Sequence, residues 1–243
     1  MLAAQGIAGG ERVAIEDQAE TEMEGEAEDS GTGRLEAFSD GVFAIAVTLL
    51  VLQLKVPEVD PLTKKLPNLA SFVVDQWPAF VAYFNSFLSI LIMWLNHHNI
   101  FKQVRRSNHT FIIFNGVLLM LITFLNYPTA LLAPALKVGT NDDKKFATLV
   151  YTGTFVVIAV FYNVLWRYGT YNGRLLGKHA DKALVAQITR EYRFGPLVYL
   201  VAFLLAFVSV PASLVLTVLL AVYFALSGRN SSGKAPQSQG TMP

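Results

Sequence analysis

Six long apolar runs alternate along this chain with short charged or turn-forming segments. The first opens on a polar cluster, Arg34, Glu36, Ser39 and Asp40, and continues as an apolar stretch from Gly41 to Leu54, interrupted by Thr48 and Gln53. About twenty helical residues at roughly 1.5 Å each reach about 30 Å, the thickness of a bilayer's hydrocarbon core. The pattern therefore predicts a transmembrane helix with polar residues in its first turns. Further runs cover residues 69–99, 110–132, 146–166, 194–208 and 212–226. Trp77-Pro78 marks where the second run meets the membrane, and Pro211 separates the last two. The prediction is an all-α integral membrane protein with six transmembrane helices.

At about 100° per residue, Ile45, Thr48, Leu49 and Leu52 fall within roughly a 100° arc of the first helix. Gly41 and Phe38 extend that face toward the N-terminus. Asp40 lies nearly opposite, with Phe43, Val47, Leu50 and Leu54. A stripe of this kind suits helix packing as well as the lining of a pore, and spacing alone does not choose. Asn85 and Ser86 in the second run are polar side chains at membrane depth that pair between helices, and the third run includes Asn115 and Gly116.

Composition agrees with a membrane protein. Of 243 residues 53% are hydrophobic and 15% charged, with mean hydropathy +0.43; soluble domains carry about 25% charged residues. The net charge of +1 offers no basic field for nucleic acid. Cysteine is absent, which excludes disulfides and thiolate chemistry. Residues 1–32 collect Glu11, Glu16, Asp17, Glu20, Glu22, Glu24, Glu26, Glu28 and Asp29 against Arg12, and read as a disordered acidic tail rather than a secretory signal. Residues 33–227 form the transmembrane domain, and 228–243, rich in Ser, Gly, Gln and Pro, a flexible tail.

The basic excess sits at Arg34, around Lys102, Arg105 and Arg106, across 167–193, and at Arg229 and Lys234. By the positive-inside rule both termini are cytoplasmic. The first helix then begins, and the second ends, on the same side. Arg34, Ser39 and Asp40 share a depth with Trp94, His97 and His98. Ionisable groups there are costly unless paired, so a hydrogen-bonded cluster is expected, with Asp40 and Ser39 receiving donors from Trp94 and one histidine, and Arg34 nearby. Ser39, Asp40 and His97 include the residue types of a hydrolase triad, but no nucleophile elbow accompanies them, so no enzyme is expected. His97 and His98 point about 100° apart on a helix and do not chelate one metal together. A proton relay is the remaining functional alternative, since histidine titrates near neutral pH.

R-x-x-x-F-S-D-G followed by V-F-A-I-A-V-T-L-L-V-L, residues 34–52, resembles the first helix of the transmembrane protein 175 family, the lysosomal-type potassium channels. The resemblance implies a single-repeat prokaryotic member: a homotetramer whose four first helices line the pore, in a cell membrane, passing potassium and other monovalent cations with no cofactor. It implies that Ile45 forms the gate, that Leu49 and Leu52 form further apolar rings, and that Thr48 supplies a hydroxyl. It further implies that Arg34, Phe38, Ser39, Asp40, Trp94, His97 and His98 form a network clamping the pore helix. No T-V-G-Y-G carbonyl filter is present. An apolar constriction would instead favour the ion that sheds water more cheaply, giving modest preference for potassium over sodium. The alternatives are a secondary transporter or a proton-permeable channel, then a membrane-embedded enzyme or a non-conducting assembly protein. Inverted repeats and interrupted helices, frequent in transporters, are not evident.

Overall fold

The computed structural model describes residues 32–177, 180 and 182–227. Within them every regular element is a helix. The first, α1, covers Thr32–Gln53 and ends in a 3-10 turn, Leu50–Gln53. It is followed by α2 (Leu69–Asp75), α3 (Trp77–Gln103), α4 (His109–Phe124), α5 (Asn126–Val138), α6 (Asn141–Thr170), α7 (Lys182–Leu205) and α8 (Val210–Ser227). The expected tails over 1–31 and 228–243 lie outside the described residues. Thr32, expected in the tail, instead starts α1: it is buried and its hydroxyl donates to the Arg105 carbonyl at 3.0 Å.

Local chemistry explains the boundaries. The Asn68 and Asn108 side chains accept the backbone N–H three residues on, capping α2 and α4. Thr140 and Asp143 form a reciprocal capping box at α6. Pro78 occupies the first turn of α3, where its missing N–H costs nothing. Run two is therefore split at Gln76, and α3 alone has membrane length. Run three is interrupted at Leu125, between α4 and α5, with Pro128 in the turn that follows.

Four stretches are long and apolar enough to cross a membrane: Thr32–Gln53, Trp77–Gln103, His109–Val138 and Asn141–Gly173. The fifth run is not a free-standing span of 194–208. α7 begins at Lys182, and its first half carries Arg190 and Arg193, so much of the expected polar connector is helical. The apolar part of α8, Val210–Phe224, is shorter than the four.

α6 is the central helix, packed against α4, α5, α7 and α8, while α3 packs against α5, α8 and the last turn of α1. Large apolar side chains fill the space between them, including Leu50, Ile90, Phe111, Tyr151, Phe155 and Trp166. At the end holding Arg105, backbone bonds Arg105 N–H to Leu175 O (3.0 Å) and Gly177 N–H to Gln103 O (3.0 Å) tie the end of α3 to the turn after α6. That turn includes Asn172 and Gly173, both at positive φ (53° and 69°), a conformation glycine adopts freely.

Candidate functional site

α1 lies against the bundle on one face only. Ser39, Phe43, Ala46 and Leu50 point inward and are buried. Phe38, Ile45, Leu49 and Leu52 remain 64%, 59%, 43% and 75% exposed, and Gly41 and Thr48 lie exposed among them. Among the described residues the stripe from Phe38 to Leu52 is therefore the exposed face of α1, while its other face is packed. The Thr48 hydroxyl donates to the Ile45 carbonyl at 2.9 Å, which leaves its oxygen lone pairs directed outward as acceptors.

The opposite face carries the polar cluster. Trp94 Nε1 donates to Asp40 Oδ1 at 2.8 Å. One turn earlier on α1 and one turn later on α3, His98 Nδ1 meets Glu36 Oε1 at 2.8 Å. Residues 36 and 40 pair with 98 and 94, the register of two antiparallel helices with matched i, i+4 steps. The Trp94 and His98 rings stack at 6.0 Å and 12°.

A second arm is fully buried. Asn115 Nδ2 donates to Ser39 Oγ at 2.9 Å, and Ser39 Oγ donates to the Leu35 carbonyl at 2.8 Å. Asn115 Oδ1 then faces His97 Nε2 at 2.8 Å. The amide oxygen can only accept, so Nε2 carries the proton and His97 is the donor. Its ring is held between Phe43 of α1, edge-on at 5.3 Å, and Phe101, stacked at 4.5 Å. The histidine thus reaches Ser39 through Asn115 and does not donate to Asp40 or Ser39 directly. Arg34 and Phe38 lie on the exposed side, and among the described residues no hydrogen bond joins them to the cluster. Among the described residues no group of three or more His, Cys, Asp or Glu converges as a metal site would require.

A potassium channel of Chamaesiphon minutus is 50% identical to the chain over 199 residues, 82% of this chain and 96% of that one. The chain belongs to the TMEM175 family. The family model, described as endosomal/lysosomal potassium channel TMEM175, matches residues 34–125, from α1 to the α4–α5 break. A potassium channel of Streptomyces collinus is 40% identical over 194 residues, 79% of this chain and 91% of that one. The crystal structure of a lysosomal potassium-selective channel TMEM175 homolog from Chamaesiphon minutus superposes with TM-score 0.71 and 46% identity, covering 82% of this chain and 98% of that one.

Two members of the cluster in this TMEM175 chain, Glu36 and Asn115, were not assigned to it from the sequence. Asn115 stands two turns into α4, and an amide at that depth demands a partner. Glu36 stands one turn before Asp40, so the antiparallel step that brings Trp94 to Asp40 also brings His98 to Glu36. Removing the indole donor tests the first pair. Trp94→Phe leaves the Asp40 carboxylate half-buried without this donor and is expected to cost about 1.5–3 kcal/mol, the range for hydrogen bonds to charged groups. Thermal unfolding of detergent-solubilised protein, followed by size-exclusion chromatography, reads the loss; an unchanged midpoint would remove this bond from the clamp.

Proposed function

We propose that the chain is a subunit of a potassium-permeable channel whose pore is lined by α1 from four copies. Membership of the TMEM175 family supports potassium conduction and places the protein among membrane channels rather than enzymes. The observation that carries the pore assignment is the unpartnered stripe on α1. Branched apolar side chains at Ile45, Leu49 and Leu52 are exposed although the other face of the same helix is packed and hydrogen-bonded. An apolar groove of about 290 Å³ on the side of α1 away from the stripe, bordered by Asp40, Phe43, Val47, Ile90 and Trp94, gives a neighbouring subunit a place to pack. Arg34 and Phe38 lie on the stripe's side of α1.

In this reading rings of Ile45, Leu49 and Leu52 form a narrow constriction that gates by excluding water. Thr48 oxygens replace part of the ion's lost hydration. Potassium holds its water less tightly than sodium and pays less to pass. The network of Ser39, Asp40, Trp94, His97 and His98, with Asn115 and Glu36, keeps each α1 turned so that its apolar stripe faces the axis. α7 and α8 complete a six-span chain in the cell membrane, with both termini on the cytoplasmic side.

Purified protein in proteoliposomes tests this. A potassium gradient is expected to drive passive, non-saturating flux that exceeds sodium flux under the reversed composition. Native mass spectrometry is expected to give a tetramer. Saturable flux coupled to a second ion would instead identify a transporter, and a dimer would exclude a fourfold ring of α1.

A further inference from the structure

The last turn of α1 departs from the helix that precedes it. Leu50–Gln53 is a 3-10 turn, closed by Leu54 N–H donating to the Val51 carbonyl at 3.0 Å. Such a turn has 3.0 residues per revolution and rises about 2.0 Å per residue, against 3.6 and about 1.5 Å in an α-helix. From Leu49 to Leu52 an α-helix would rotate by about 300°; the 3-10 geometry rotates by about 360° and rises about 6 Å. Leu52 therefore stands directly in line with Leu49. Continued as an α-helix, the chain would carry it about 60° off that line and about 1.5 Å nearer.

Two side chains hold this turn against the α4–α5 break. Gln53 Nε2 donates to the Asn126 carbonyl at 2.8 Å. Asn126 Nδ2 donates in return to the Ala46 carbonyl at 3.2 Å and, within its own turn, to Thr123 O at 3.2 Å. The break is itself anchored. Thr129 Oγ1 donates to the Leu125 carbonyl at 2.7 Å. Its one proton is thereby used, so Ser86 Oγ donates to it at 2.8 Å and accepts from Tyr151 OH at 2.9 Å. Tyr151 OH accepts from Asn85 Nδ2 at 2.8 Å. One directed chain of buried hydrogen bonds thus runs from α3 and α6 to the break beside the end of α1.

We infer that Gln53 and Asn126 are positioning residues for permeation, holding Leu50–Gln53 in the 3-10 form and so stacking the Leu49 and Leu52 side chains on one line. The inference rests on α1 lining the pore. Neither residue touches the ion path; both act through Leu52. When the turn relaxes to α-helix, Leu52 turns about 60° from the line of Leu49 and its ring moves about 1.5 Å nearer to that of Leu49.

The chain has no cysteine, so single substitutions can be labelled without background. Ile45→Cys, Leu49→Cys and Leu52→Cys are made in the otherwise unaltered chain and again with Gln53→Met, which keeps the side-chain length and removes the donor. Asn126→Ala, which removes the other bond, serves as an independent second background. Each channel is recorded in planar bilayers while a cationic, membrane-impermeant methanethiosulfonate is applied. In the unaltered background all three are expected to lose current on modification, positions 49 and 52 at similar rates. In both altered backgrounds the rate at 52 relative to 49 is expected to change by about fivefold, the population change one hydrogen bond supports. Block of Ile45→Cys with an unchanged 52-to-49 ratio would overturn the role of Gln53 and Asn126 and leave the pore assignment intact. Absence of block at Ile45→Cys would remove the pore assignment and this inference with it.

Discussion

Ile45→Asn is expected to open the channel at rest and to erase most of its preference for potassium. Ile45 stands on the exposed stripe, one turn before Leu49, and is 59% exposed rather than part of the core. Substitution therefore disturbs no packed core. A constriction that gates by excluding water depends on the absence of hydrogen-bonding groups. An amide from each of four chains would hydrate it. If each amide lowers the barrier by about 0.5 kcal/mol, the low end for a net hydrogen bond, four lower it by about 2 kcal/mol, roughly thirtyfold in rate. The gain is expected for sodium as well as potassium, because a hydrated passage no longer requires ions to shed water. Bilayer recordings under mixed potassium and sodium gradients measure both effects. Ile45→Val, which keeps the ring apolar, is expected to remain selective. An Ile45→Asn channel with unaltered resting current and permeability ratio would show that the constriction lies elsewhere.

How much of this was legible in the sequence depends on the distance over which each feature is encoded. The stripe is local: phase along α1 sets Phe38, Ile45, Thr48, Leu49 and Leu52 on one side and Asp40, Phe43 and Leu50 on the other, and the exposures follow that division. The meeting of Asp40 with Trp94 needed only the topology of two antiparallel helices. What topology does not give is rotation about each helix axis. That rotation decides that Ser39 meets Asn115 rather than a histidine, and that Arg34 faces outward. Helix interruptions were harder still. The break at Leu125 sits inside a continuous apolar run, and its local signal is Asn126 with Pro128 two residues on. The 3-10 turn at Leu50–Gln53 leaves no mark on hydropathy, because its cause is a pair of hydrogen bonds to a residue more than seventy positions away. α7 misled for the opposite reason. Arg190 and Arg193 give a polar segment, yet a long helix carries those charges in its first half.

Asn115→Leu is expected to be the most damaging single change to the folded state, although it replaces a polar residue in a membrane helix by one lipid favours. Asn115 is buried, and each end of its amide is used: Nδ2 toward Ser39 on α1 and Oδ1 toward His97 on α3. Leucine has similar volume, so no large cavity results. The cost comes from the partners left behind. His97 Nε2–H loses its acceptor in a site closed by Phe43 and Phe101, where its Nδ1 is already buried without a hydrogen bond. Ser39 Oγ keeps its bond to Leu35 and loses one it accepted. Each stranded buried group costs about 1–3 kcal/mol, so the pair gives about 2–6 kcal/mol, a large part of the stability of a typical fold. The test is a double-mutant cycle. Ser39→Ala alone removes one acceptor, and Ser39→Ala with Asn115→Leu removes both partners of that bond. If the two act as a unit, the double variant is less destabilised than the sum of the singles, by about 1 kcal/mol or more. Tetramer survival after heating, monitored by chromatography, supplies the readout. Strict additivity, or an Asn115→Leu protein as heat-stable as the parent, would mean that the Ser39–Asn115–His97 arm does not hold α1, which would then rest on its apolar contacts and on the Asp40–Trp94 and Glu36–His98 pairs.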